Sequence, residues 1–162
     1  MMRICGSSTL LVGLIVAFGG DAVVSAADVP DPAIGTWTLN VAKSKYNPGP
    51  APRSQTRTYE EAAQGVTWTS KTVAADGSER SVQCTFKFDG KDYPVTGSSI
   101  YDTLSLKRID ARAVAFTGKK AGRVTETGIR KVSADGKVLT VSMKGTDAKG
   151  VPFNAVQVFD KQ

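Results

Sequence analysis

Between residues 34 and 160 the chain alternates apolar and polar side chains in short runs, and no stretch there sustains a 3.6-residue period. Val82, Cys84, Phe86 and Phe88 fall on one side of such a run, as do Val66 and Trp68, and Leu139, Val141 and Met143. Their opposite sides carry Thr, Ser, Lys and Gln. A period of two is that of a strand with one buried face. It predicts strands over 34–41, 55–61, 66–74, 79–88, 92–96, 103–110, 113–119, 123–133, 137–145 and 151–160. In the first of these Trp37, Leu39 and Val41 alternate. The punctuation is Asp76-Gly77, Asp89-Gly90, Asp135-Gly136 and the stretch 147–150, which read as hairpin signals, the Asp-Gly pairs suiting type I′ turns. Residues 43–53 carry Pro48, Pro50 and Pro52. Proline offers no ladder donor, so this segment is expected to cross a sheet edge or a barrel end in extended form rather than form a central strand.

Short antiparallel strands with one apolar face each tend to curl and close, because closure removes their exposed edges. The expectation is therefore an all-β antiparallel meander closing into a small barrel of about 8–10 strands, with a two-sheet β-sandwich as the structural alternative.

The N-terminus differs in pattern. Arg3 is followed by an apolar run from Leu10 to Phe18 and then by the small residues Ser25, Ala26 and Ala27. This is the layout of a cleavable signal peptide, with the cut after Ala26 or Ala27. The run is too short, and too soon followed by Asp21, for a membrane span. Residues 1–27 are thus read as a signal peptide and 28–162 as a single domain, periplasmic or secreted, with no stable membrane span after cleavage. Loss of Arg3 and Asp21 together leaves the net charge at +6.

That positive balance favours contact with anionic envelope components. The charges are scattered, with Lys107-Arg108 and Lys119-Lys120 the densest pairs, so no nucleic-acid surface is expected. The chain has no histidine and two cysteines, of which Cys84 alone survives cleavage. Histidine triads, histidine metal sites and cysteine-rich zinc sites are excluded. Neither a phosphate-cradling glycine loop nor a strand–glycine–helix unit occurs, so no cofactor is expected. Catalysis is left only to carboxylates, and Glu60 and Glu61, being adjacent, point to opposite faces of a strand. The expectation is a binding protein and not an enzyme. Glu126, Gly128 and Arg130 share a face with Val124 and Val132. Arg108 follows Leu104 and Leu106 in the same way, so these charges need partners if their faces turn inward.

The opening Gly35-Thr36-Trp37 resembles the start of calycin barrels, the lipocalins and fatty-acid-binding proteins. So does the closing portion, where Ile129-Arg130-Lys131 leads through a hairpin to a last strand ending at Lys161. More closely, Gly35 to Asn40, Ala42 to Tyr46, Asp89 to Val95 and Ser105 to Asp110 are similar to a group of exported bacterial small all-β proteins, a resemblance that implies export and no particular activity. Fatty-acid-binding proteins hold a carboxylate through Arg-x-Tyr in the last strand. Here those positions read Gln157-x-Phe159, and their other basic residue falls near Arg130 or Lys131. Their helical pair after the first strand is replaced by the proline segment.

The functional expectation is an exported protein holding a small apolar or amphipathic molecule in a barrel cavity. Trp68, Phe86, Phe88, Arg108, Arg130 and Phe159 are the candidate ligand-binding residues. The alternative is a cavity-free envelope protein that binds an anionic polymer or a partner protein through its basic surface.

Overall fold

A computed structural model describes residues 30–162. The signal-peptide reading of 1–27 and its cleavage point lie outside the described residues. Eleven strands follow in chain order: β1 (Gly35–Leu39), β2 (Lys45–Asn47), β3 (Ser54–Ala62), β4 (Gly65–Val73), β5 (Glu79–Phe86), β6 (Asp89–Thr96), β7 (Thr103–Arg108), β8 (Ala113–Lys120), β9 (Arg123–Val132), β10 (Val138–Thr146) and β11 (Pro152–Lys161). From β3 to β11 each strand pairs antiparallel with the next. β1 pairs with β3 on one side and with β11 on the other, which closes a ten-stranded barrel. The meander and closure expected from the alternation are what the chain adopts, and the sandwich is not.

The eleventh strand, β2, explains one departure from expectation. After Leu39 the chain leaves the extended conformation for a single 3-10 turn at Val41–Lys43, where the Asn40 side chain accepts from the Lys43 amide at 3.1 Å. Val41 therefore turns outward instead of continuing the buried face of Trp37 and Leu39. The chain then resumes beside β11 as β2, pairing Lys45–Asn47 with Val156–Asn154. The Asn40 amide donates to the Val158 carbonyl at 2.8 Å, and the Val158 amide to Ser44 Oγ at 3.0 Å, so hydrogen bonding to β11 carries across the turn. The three prolines follow β2 and precede β3, outside every ladder, as their missing N–H demands.

Asp76-Gly77 and Asp135-Gly136 mark hairpins, but not of type I′, and Asp89-Gly90 marks no hairpin turn. At Ala74 to Ser78 the glycine alone takes positive φ (89°), while Asp76 Oδ1 accepts from the Ser78 amide at 2.8 Å. That is a three-residue hairpin with glycine in the left-handed position. Asp89-Gly90 behaves differently again. β5 and β6 share two Cα pairs, Gln83 with Thr96 and Cys84 with Val95, and β6 begins at Asp89 rather than at 92 because its first residues pair with β7. Below those two pairs the strands splay.

The inward faces are those the alternation gave. Trp37, Phe86, Val114, Val132, Leu139, Val141 and Phe159 are fully buried, each such burial contributing about 1.5–3 kcal/mol. Val124 is an exception: a bulge opposite Gly118 and Lys119 inserts Thr125, and Val124 ends exposed while Glu126 points inward. One barrel end is sealed by residues 30–34. Ala33 is buried in the core, its carbonyl accepts from Trp37 Nε1 at 2.7 Å, and its amide donates to Asp31 Oδ1 at 3.1 Å.

Candidate functional site

The opposite end is open. A cavity of about 520 Å3 enters there, lined near the mouth by Tyr46, Pro50 and Pro52 from the proline segment, by the β4–β5 hairpin and by Ser98 and Ile100 between β6 and β7. The prolines thus cross the barrel mouth, as the sequence predicted. The cavity descends to Arg57, Trp68, Tyr101 and Glu126, which it shares with a small inner space of about 40 Å3 surrounded by Tyr59, Phe86, Leu104, Leu106, Phe116 and Arg130. A wide mouth narrowing to an apolar throat with a few converging polar groups is the form of a small-molecule site.

The polar floor comes from four strands, β3, β4, β9 and β11. On β3, Gln55, Arg57 and Tyr59 alternate inward. Arg57 Nη2 donates to Gln157 Oε1 of β11 at 2.7 Å, and the guanidinium lies between the rings of Phe159 and Trp68, at 5.0 and 5.4 Å. Arginine on an aromatic face is stabilised by the ring quadrupole, the more so when desolvated. Its Nε, like Trp68 Nε1, is buried without an acceptor among the described residues. Closer to the mouth, Gln55 Nε2 donates to Ser70 Oγ of β4 at 2.8 Å.

Glu126, on β9, faces Arg57 across the barrel. Its neighbours in the wall are Gly118 of β8 and Gly145 of β10, so neither adjacent strand offers it a side-chain partner. The Tyr101 ring packs onto Gly118 beside it. Burial pushes the Glu126 carboxyl up to about 7, with Arg57 the one cation opposing the rise. Tyr101 is pushed up as well, by burial first and then by the Glu126 charge.

Deeper, Arg130 is held by an ion pair. Its Nη2 donates to both Asp31 oxygens at 2.8 Å, and both side chains are almost wholly buried. The guanidinium also stands 4.8 Å from the Tyr59 ring and 5.7 Å from that of Phe88. Arg130 thus ties the sealing segment to the barrel wall.

Of the six residues the sequence singled out, Trp68, Phe86 and Arg130 line the inner space. Phe159 lies behind Arg57 and outside the cavity lining. Phe88 packs edge-on against Phe86 and beneath Arg108, at 4.5 Å, by a separate hollow of about 490 Å3 beside the sealed end. The structure therefore divides the six between two ends of the barrel. Arg57, Gln157 and Asp31 escaped sequence reasoning as site residues. Gln55-x-Arg57-x-Tyr59 has no run of apolar residues to mark it as an inward face, and Asp31 precedes the first strand. Cys84 is buried and its thiol pushed up to about 11, which makes it an inert core residue. No group of three or more His, Cys, Asp or Glu side chains able to hold a metal lies together among the described residues.

Fold and cavity together define an all-β barrel, closed by ten antiparallel strands, with one sealed and one open end. The chain is similar in structure to zebrafish ileal bile acid-binding protein complexed with cholic acid, at 10% identity and a TM-score of 0.49, over 82% of this chain and 100% of that one. So distant a likeness transfers no ligand. No family model and no curated protein matches the chain.

Proposed function

We propose that this is an exported binding protein that carries a small apolar or amphipathic molecule inside its barrel. The observation supporting it is the open cavity of about 520 Å3 leading to a buried polar floor. That volume falls within the range of ligand pockets, roughly 300–1,000 Å3. The apolar body of a ligand would lie against Trp68, Met143 and Phe153, with any polar group toward Arg57 and Gln157. The cavity-free alternative calls for a packed interior, and the cavity gives it no support. Catalysis is not part of the proposal, since Glu126 and Asp31 lie at different depths and Asp31 is committed to Arg130.

The test uses N-phenyl-1-naphthylamine, a neutral probe that brightens in apolar surroundings, with native mass spectrometry of the purified protein. Saturable brightening, quenching of Trp68 emission and a one-to-one mass adduct are expected. Trp68→Phe should remove most of the quenching and leave the buried Trp37 signal. An unsaturable response, with no adduct from any apolar compound, would end the proposal.

A further inference from the structure

We propose that the barrel selects an amphiphile with an anionic head group, and that this anion becomes the counter-ion of Arg57 while Glu126 takes up a proton. The inference rests on the binding role proposed above and names the chemistry of its ligand.

Four observations converge. Arg57 is nine-tenths buried, yet its Nε has no acceptor among the described residues, and Trp68 Nε1 beside it is in the same state. Two buried donors on one cavity wall call for an acceptor, since a buried unpaired N–H costs about 1–3 kcal/mol, more for a charged group. Among the described residues, the neutral Gln157 oxygen is the one hydrogen-bond acceptor Arg57 has. Glu126, the carboxyl nearest in function to a counter-ion, accepts no hydrogen bond from the described residues and stands between two glycines on the far wall.

The charge balance of the interior then sets the ligand's sign. Arg130 and Asp31 neutralise each other. Arg57 contributes a guanidinium cation. Glu126 is poised near neutrality, because burial opposes its charge more than Arg57 favours it. In the protonated state of Glu126 the floor carries one uncompensated cation, which a monoanion would neutralise. An anion arriving beside an ionised Glu126 would meet a like charge instead, so binding draws a proton from solvent onto Glu126. The other titratable groups facing it are Tyr59 and Tyr101 at depth, with Tyr46, Asp76 and Arg80 toward the mouth. Burial raises Tyr46 as it does Tyr101, so neither phenol ionises near neutral pH. Asp76 is an exposed turn residue lowered by its bonds to Ser78, and it stays charged throughout.

Displacement of N-phenyl-1-naphthylamine by three ten-carbon probes tests this: decanesulfonate, anionic at every pH used, neutral decanol and cationic decyltrimethylammonium. Decanesulfonate is expected to compete best and the cation worst. Decanesulfonate should bind about tenfold more weakly at pH 8 than at pH 6, as loss of one required proton near pH 7 dictates, while decanol is unchanged. Glu126→Gln should bind decanesulfonate with the pH 6 affinity at both values. Arg57→Met should lose the preference for the anion and keep decanol, with circular dichroism confirming the fold. Equal competition by decanol and decanesulfonate, a flat profile in the unaltered protein, or a slope surviving in Glu126→Gln would each overturn the inference while leaving the binding role intact. If the naphthylamine and all three amphiphiles fail to bind, the binding role falls and the inference with it. The matched probes and the pH slope need no variant, so the answer does not hang on whether Arg57→Met folds.

Discussion

Asp31 shows how much one side chain can hold. It receives both bonds from Arg130 Nη2 and one from the Ala33 amide, with almost no exposure. An intact buried pair contributes little net stability, because desolvation offsets its attraction, but removing one member strands the other's charge, at about 3–5 kcal/mol. Asp31→Ala is therefore expected to cost that much in urea unfolding. Pairing it with Arg130→Met should recover most of the loss, because no unpaired charge remains. If the double variant is as unstable as the single, the damage comes from the sealing segment and not from the charge.

At the scale of elements, the strands were legible because their apolar faces repeat every two residues: Val66-x-Trp68 and Leu139-x-Val141-x-Met143 point where the alternation says. What failed to show was anything set by the backbone rather than by side-chain period. The bulge at Thr125 turned Val124 out, the capped turn at Asn40 did the same to Val41, and glycine alone supplied the positive φ of the Asp76-Gly77 hairpin. Arg57 was illegible for another reason: an inward polar residue breaks the pattern that identifies inward faces. Gln157, by contrast, was noticed as the position lacking an arginine, and the structure shows it receiving one from β3. The uneven ladders also predict uneven protection. The β10–β11 ladder runs through nine consecutive pairs, while β5 and β6 share two. In hydrogen exchange, amides of residues 87–91 should exchange faster by orders of magnitude than those paired at the centre of β10 and β11. Equal protection would mean that the splayed seam is closed in solution.

For the whole molecule, stability should vary with pH in two separate windows. Asp76, Asp89, Asp110 and Asp135 sit in turns where backbone or hydroxyl hydrogen bonds lower them below 3.8, so what they contribute is present above that value and fades as pH falls through it. Glu126 works in the other direction. Its carboxyl is raised from 4.5 to about 7, so its penalty is absent below 4.5, grows as pH rises to 7 and is constant beyond, on the order of 3 kcal/mol. The difference in Tm between the unaltered protein and Glu126→Gln should change between pH 4.5 and 7 and be flat on either side. A difference independent of pH would place Glu126 in contact with water.

Strand β11 is the seam of the barrel, pairing with β10 along its length, with β1 at its end and with β2 at its start. It also bears Gln157 and Phe159, the groups that seat Arg57. Until this last strand docks, the edges of β1 and β10 stand open and Arg57 has no seat. Closure of the wall and assembly of the binding floor are thus a single event in time. A half-folded chain owns neither, so under the proposed role no ligand can be held before the barrel is whole.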